Sequence, residues 1–245
     1  MTCTLFPEFD QGVNPISAGS KRRVSDLYEL LEHARREGHL DARFFAVTDA
    51  DDMHRVSGPS SRFEWDVYHI ENYLLQPEII QAVLSAAGVK TDVARSSAAV
   101  LSELQACAES SIPDLVAHRM RAEANRLLVS SIDLGFDLAR RDVGVALAEA
   151  VEGSFERIRT CVAGDVNRAQ LAKLEGEHTG RFRASLGDGT WRSVLRGRDI
   201  LRRFAGKHLS GMQYEYFRDL VINKMAEVGY QPLGMGRVVY AILRA

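Results

Sequence analysis

Apolar positions fall into two regimes along the chain. Up to about residue 85, short unbroken apolar runs alternate with turn-forming stretches and one helical pattern; from residue 92 onward only helical spacing recurs. Three runs in the first region read as strands: CTLFPEF near the start, ARFFAVT at 42–48 and EWDVYHI at 64–70. The second is apolar almost throughout, as in a strand covered on both faces. DQGVNPISAGSK is rich in turn formers and reads as a loop. VSDLYELLEHARREG follows as a helix, with Ser25 as candidate N-cap, Leu27, Leu30, Leu31 and Ala34 at helical spacing, and Gly38 as the stop. ENYLLQPEIIQAVLSAAG reads as a turn leading into a second helix. Strands and helices in this order imply a mainly parallel sheet.

Beyond residue 92 the pattern predicts helices over DVARSSAAVLSELQACAESS and then from Pro113, a first-turn residue, to about Arg140. In DVGVALAEAVEGSFERIRTCVAG, Leu147, Val151, Phe155, Ile158 and Val162 form a stripe that should face a core. Residues 166–189 are polar and suggest a turn or short helix. RDILRRFAG, MQYEYFRDLVINKMAEVGY and PLGMGRVVYAILRA close the chain as helices. The expected organisation is an α/β domain over 1–88, a helical region over 89–190, and C-terminal helices over 191–245 that pack back on the α/β domain.

Composition narrows the setting. The 245 residues are 46% hydrophobic, enough for a real core, and the net charge of −2 makes the whole chain neither a basic coat nor an acidic tail. Cys3, Cys107 and Cys161 lie far apart without a CxxC pair, which fits a reducing compartment and argues against a disulfide scaffold. No apolar run approaches the ~20 residues of a membrane span. MTCTLFPEFDQG lacks the basic-then-apolar order of a signal peptide. The expected location is the cytoplasm.

The chemistry concentrates at the end of the second apolar run, where FFAVT meets DADD. Ligands of open parallel sheets bind beyond the carboxyl ends of the strands. Asp49 and Asp51, two apart, share one face of an extended backbone. Like charges this close repel unless a cation lies between them. Hard carboxylate oxygens suit Mg2+ or Mn2+. The bland alternative is a surface turn, which Asp favours. No HxH or HExxH spacing points to zinc.

Asp-x-Asp after a strand occurs in several families. Phosphatases of the haloacid dehalogenase type carry Thr or Val where Met53 stands here, and glycosyltransferases use the motif to hold Mn2+ under a diphosphate. The next segment is more specific. DADD followed by HIENYLLQPEII (69–80), with Glu71 closing a strand-like run, resembles the topoisomerase–primase (Toprim) domains of OLD-type nucleases and of effectors associated with ABC-type ATPases. LRGRDILRRFAG (195–206) resembles the Gly-Lys-Asp-Leu-Leu segment common after such domains, with Arg198 in place of Lys, and residues 212–234 resemble their closing helices. The resemblance covers 1–85 and 190–245; the middle helices have no counterpart.

That resemblance implies a Mg2+- or Mn2+-dependent nuclease, or its subunit, cleaving DNA or RNA with an ABC-type ATPase partner in anti-phage defence or DNA repair. Asp49 and Asp51 would ligate the metal, Glu71 would complete or support the site, and Arg198 would neutralise a phosphate. It also implies an earlier strand ending in an essential Glu. LFPEFDQG resembles the family's second strand instead, and Glu8 is the only Glu before Glu29. A truncated start, an acid supplied by a partner, or a copy that does not cut all remain open. A catalytically inactive partner-binding or nucleic-acid-binding module is therefore the alternative, with a glycosyltransferase behind it.

Two basic stretches are candidate nucleic-acid contacts. SAGSKRR places Lys21 and Arg22 beside a helix start. Arg192, Arg196, Arg202 and Arg203 belong to an Arg- and Lys-rich stretch from 181 to 207, interleaved with Phe182 and Trp191. Solvated helix faces explain that stretch nearly as well. A homo-oligomer is compatible with the sequence, and a membrane is not called for.

Overall fold

Helices dominate the computed structural model, which describes residues 1–50, 61–137, 142–209 and 211–245. CTLFPEF is not a strand. It forms two short helices, α1 (Thr2–Leu5) and α2 (Pro7–Gly12), because Pro7 sits at the first helical position, where its missing N–H costs nothing. α3 spans Lys21–Arg36. It starts earlier than Ser25: the Ser20 hydroxyl accepts from Arg23 N at 3.3 Å, and Gly38, at φ +76°, supplies the left-handed turn beyond its end.

The described sheet is two parallel strands, β1 (Ala46–Thr48) and β2 (Arg62–Glu64), in register Ala46 to Arg62, Val47 to Phe63 and Thr48 to Glu64. The parallel α/β expectation holds in this reduced form. EWDVYHI was expected to be a strand, but only Glu64 belongs to one. Trp65 N still reaches Thr48 O at 3.0 Å, and Ala50 N reaches Val67 O at 3.3 Å. Tyr68 N then leaves the sheet for Ser193 O at 2.7 Å, and Ile70–Leu74 coils into a 3-10 turn. α3 lies against β1, and its Tyr28 ring carries the Arg62 guanidinium 4.7 Å from its centroid.

The other helices are α4 (Pro77–Ala86), α5 (Ser97–Ser130), α6 (Val143–Gly164), α7 (Arg168–Asp188), α8 (Trp191–Val194), α9 (Gly197–His208), α10 (Tyr214–Glu227) and α11 (Leu233–Leu243). Pro113 does not open a helix; it lies inside α5, which runs through it. Residues 168–188, expected to contain only a turn or short helix, form one long helix.

The chain divides into two compact units, residues 1–110 with 188–245 and residues 111–187, and the division falls within α5 close to Pro113. In the first unit α10 packs on α4, α9 and α1, and α9 packs on the 70–74 turn. Ile200, Leu201 and Phe204 of α9 meet Phe217, Val221 and Met225 of α10 in a core that excludes water; Phe204 and Phe217 stack at 6.0 Å. Each such side chain contributes about 1.5–3 kcal/mol by burial. In the second unit, α6 buries Ala146, Ser154 and Cys161. Ser154 Oγ accepts from Asp133 N at 3.1 Å and donates to Asp133 O at 2.8 Å, tying the 131–133 segment to that small-residue face. The larger stripe is not the core face: Leu147, Phe155 and Val162 are exposed, and Val151 and Ile158 are only half-buried. No helix among the described residues is long and apolar enough to cross a membrane.

Candidate acid and arginine site at the end of β1

Asp49 leaves β1 directly into the first unit's most buried turn. Its Oδ1 accepts from Ile70 N at 3.2 Å, which fixes the carboxylate over the start of the 70–74 turn. His69 stands between two acids: Nε2 lies 4.0 Å from Asp49 Oδ2, and Nδ1 lies 3.9 Å from Glu71 Oε2. Two carboxylates 22 residues apart in sequence thus converge on one imidazole.

Glu71 is only 6% exposed. A buried carboxylate is costly unless paired, and its partner comes from the far end of the chain. Arg198, the second residue of α9, places Nε 2.8 Å and a terminal nitrogen 2.7 Å from Glu71 Oε1. Burial works against the Arg198 charge, but the Glu71 bond outweighs it and holds the guanidinium above its ordinary pKa. Tyr214, at the start of α10, is pushed up to about 12 by burial and then by the Glu71 charge. Its hydroxyl is buried and has no hydrogen-bond partner among the described residues. Arg218, one turn further along α10, is also held above its ordinary value, first by its bond to Asp219 and in smaller part by Tyr214 and Glu71.

Asn72 holds this arrangement together. Its Oδ1 accepts from His69 N at 3.0 Å and from Gly197 N at 3.1 Å; its Nδ2 donates to Arg192 O at 2.8 Å and Leu195 O at 2.6 Å. The side chain that closes the 70–74 turn therefore also seats the N-terminus of α9, one residue before Arg198. The run ENYLL is buried from end to end.

The other sequence candidates are spread more widely. Asp51 lies outside the described residues. Lys21 donates to Glu64 Oε1 at 2.8 Å and to Asp49 O at 3.3 Å, so it braces the end of β1. Arg22 is exposed, 3.8 Å from Asp26. Arg192 lies over the Trp191 ring, Arg196 pairs with Asp199 at 3.5 Å, and Arg202 pairs with Glu215 at 3.6 Å with its guanidinium 5.0 Å from the Tyr214 centroid. Arg203 is half-buried beside Cys107. Arg181 and Arg183 belong to α7, in the other unit, so the basic stretch is not one surface of one unit. Tyr214 and Arg218 were not among the sequence candidates. Neither carries a local signal; both matter because α10 packs beside the 70–74 turn.

Among the described residues, no three His, Cys, Asp or Glu side chains form a ready-made metal cage. Asp49 and Glu71 nevertheless offer hard oxygen donors beside an imidazole, a set compatible with Mg2+ or Mn2+. Further oxygen ligands would have to come from Asp51, water or a phosphate. No protein-family model matches the chain, and no curated protein or solved structure shows significant similarity to it.

Proposed function

We propose that the chain is a divalent-metal-dependent phosphodiesterase of the Toprim nuclease kind, or the nuclease subunit of such a system, acting on nucleic acid with an ABC-type ATPase. The observation that carries this reading is the convergence of Asp49 and Glu71 on His69 at the end of a parallel strand. Mg2+ or Mn2+ held by Asp49 and Asp51 would neutralise charge at the scissile phosphate and make an attacking water more acidic. His69, flanked by two carboxylates, is placed to hold a proton while a water is deprotonated. Arg198 fixes Glu71, so the acid stays aimed at His69. Tyr214 keeps its proton throughout the neutral range and can donate to a phosphate oxygen, with Arg202 and Arg218 adding positive charge around it.

The test is cleavage of supercoiled plasmid DNA and of short RNA by the purified chain, with Mg2+, Mn2+ or EDTA. Metal-dependent cleavage abolished by Asp49→Ala supports the reading. Cleavage unchanged by EDTA or by that substitution sinks it.

A second reading rests on the Glu71–Arg198 pair. Both Arg198 contacts fall on one oxygen of a buried acid, so the Glu71 charge is already matched within the fold. That favours a non-cutting module that binds nucleic acid or a partner protein. It predicts binding in the absence of metal and no cleavage at any Mg2+ or Mn2+ concentration.

A further inference from the structure

The apolar stripe of α6 runs beside the helix's buried face and continues past it into solvent. Leu147, Val151, Phe155, Ile158 and Val162 of α6 lie within a roughly 80° arc at 100° per residue. Phe155 is 65% exposed, Val162 48% and Leu147 41%. The buried side of α6, with Ala146, Ser154 and Cys161, is already engaged by the 131–133 segment. Contiguous apolar surface of this kind on a folded chain marks an interaction site.

The pattern also specifies the occupant. The stripe is nearly symmetric about Phe155: read in reverse, Val162 takes the place of Leu147 and Ile158 that of Val151. A face of this kind complements a second copy of itself turned end over end. The charges agree. Glu152 and Arg159, both exposed, border the stripe on the side away from the buried face, at nearly equal distances either side of Phe155. In an antiparallel pair, Glu152 of each copy meets Arg159 of the other; in a parallel pair the charged border of one copy would lie against the partner's opposite border, where Ser154 and Cys161 stand, and neither charge would find its complement. Opposite charges bordering an apolar seam set helix orientation, and an isologous contact uses the same patch twice.

We propose that the outer face of α6 is a homodimer interface, in which two copies of the chain cross antiparallel about a twofold axis near Phe155. The Phe155 rings lie against each other on the axis. Leu147 and Val151 of one copy cover Val162 and Ile158 of the other. The two Glu152–Arg159 pairs close the border. The local Arg159–Glu156 pair, at 2.9 Å but on exposed side chains, is weak enough to be exchanged. This proposal stands independently of the nuclease reading, because its residues all belong to the 111–187 unit, whereas Asp49 and Glu71 belong to the other.

The test is the mass of the intact chain by light scattering over a concentration series, with circular dichroism confirming that every variant is folded. The dimer should dissociate about 30-fold more readily in Phe155→Glu, a central apolar contact turned into a charge. Glu152→Arg and Arg159→Glu should each weaken it about tenfold, and the two together should restore it, since the pair is only reversed. Orientation is read by cysteine cross-linking. Phe155→Cys should link to itself, Leu147→Cys should not, and Leu147→Cys should link to Val162→Cys when the two are mixed. A monomer at every concentration overturns the proposal. So does a dimer that Phe155→Glu leaves intact, a double charge variant weaker than either single one, or efficient self-linking by Leu147→Cys.

Discussion

Asn72 and Gly197, 125 residues apart, touch at the backbone: Gly197 N donates to Asn72 Oδ1 at 3.1 Å, and a Cβ on Gly197 would lie 2.7 Å from the Asn72 backbone nitrogen and Cα. Only glycine lets the N-terminus of α9 approach the 70–74 turn this closely. Since neither backbone can step aside alone, Gly197→Ala should separate α9 from the turn and destabilise the fold by about 2–4 kcal/mol, as overpacking against backbone does. Thermal or urea unfolding measures it. Wild-type stability in Gly197→Ala would show that the approach is looser than this geometry.

Asn72→Ala tests the same junction from the other side. It removes the side-chain end of four hydrogen bonds, to His69, Gly197, Arg192 and Leu195, and leaves buried backbone groups without partners. At about 1–3 kcal/mol for an abandoned buried group, the loss should reach about 3–5 kcal/mol, the range of a broken buried network. Asn72→Asp keeps the two acceptor contacts and loses the two donor ones, so its unfolding midpoint should lie between those of wild type and Asn72→Ala.

How much of this was legible in the sequence depends on whether the cause was local. FFAVT followed by Asp, and the apolar run through ENYLL, correctly marked a strand end and a buried turn. Ser20 and Gly38 bound α3 by cap and turn chemistry that a sequence carries, although Ser25 competed for the cap. CTLFPEF failed because a short apolar run suits helix or strand alike, and Pro7 decided it. EWDVYHI failed because Tyr68 N finds its acceptor on Ser193, far along the chain. The α6 stripe gave the helix but not the covered face, since the small residues beside it are the buried ones. Glu71 was legible as an acid of interest. Its partner Arg198, 127 residues away, was legible only through a family resemblance, and the arrangement of Tyr214 and Arg218 around the pair was not.

Asp49 and Glu71 should separate function from stability. Asp49 is half-buried, with one oxygen on Ile70 N, so Asp49→Asn keeps an acceptor there and should cost little stability, about 1 kcal/mol or less. Under the metal-dependent reading it should nonetheless lower cleavage at least ~100-fold, because an amide is a poor ligand for a hard cation. Glu71→Gln instead strands the Arg198 charge against a neutral group and should destabilise by about 3 kcal/mol. Paired melting curves and cleavage rates distinguish the two. Equal stability losses with no rate difference would favour the binding-module reading.

Tyr214→Phe should leave the fold intact, since its hydroxyl makes no hydrogen bond among the described residues. If the hydroxyl donates to a bound phosphate, the variant should raise KM for a nucleic-acid substrate, or Kd for a non-cleaved one, by about tenfold or more, one hydrogen bond to a charged group. Because burial and Glu71 push Tyr214 up to about 12, wild-type binding should show no tyrosine titration between pH 7 and 9. Unchanged Kd in Tyr214→Phe would remove Tyr214 from the site.

Acid should weaken the packing of α5 against α9 through Glu103. Lys207 Nζ lies 2.5 Å and His208 Nε2 3.2 Å from Glu103 Oε1. Burial raises the carboxyl pKa, but the hydrogen bonds from Lys207 and His208 outweigh it and hold Glu103 below its ordinary value of 4.5. A carboxyl depressed in the folded state adds stability that is complete above its unfolded pKa and is lost as pH falls through the folded one. Wild type should therefore lose its advantage over Glu103→Gln as pH drops from about 5 toward 3, with the two melting temperatures converging at the acid end. A constant gap from pH 7 to 3 would mean that the ion pair contributes nothing and that Glu103 acts only by its size and hydrogen bonding.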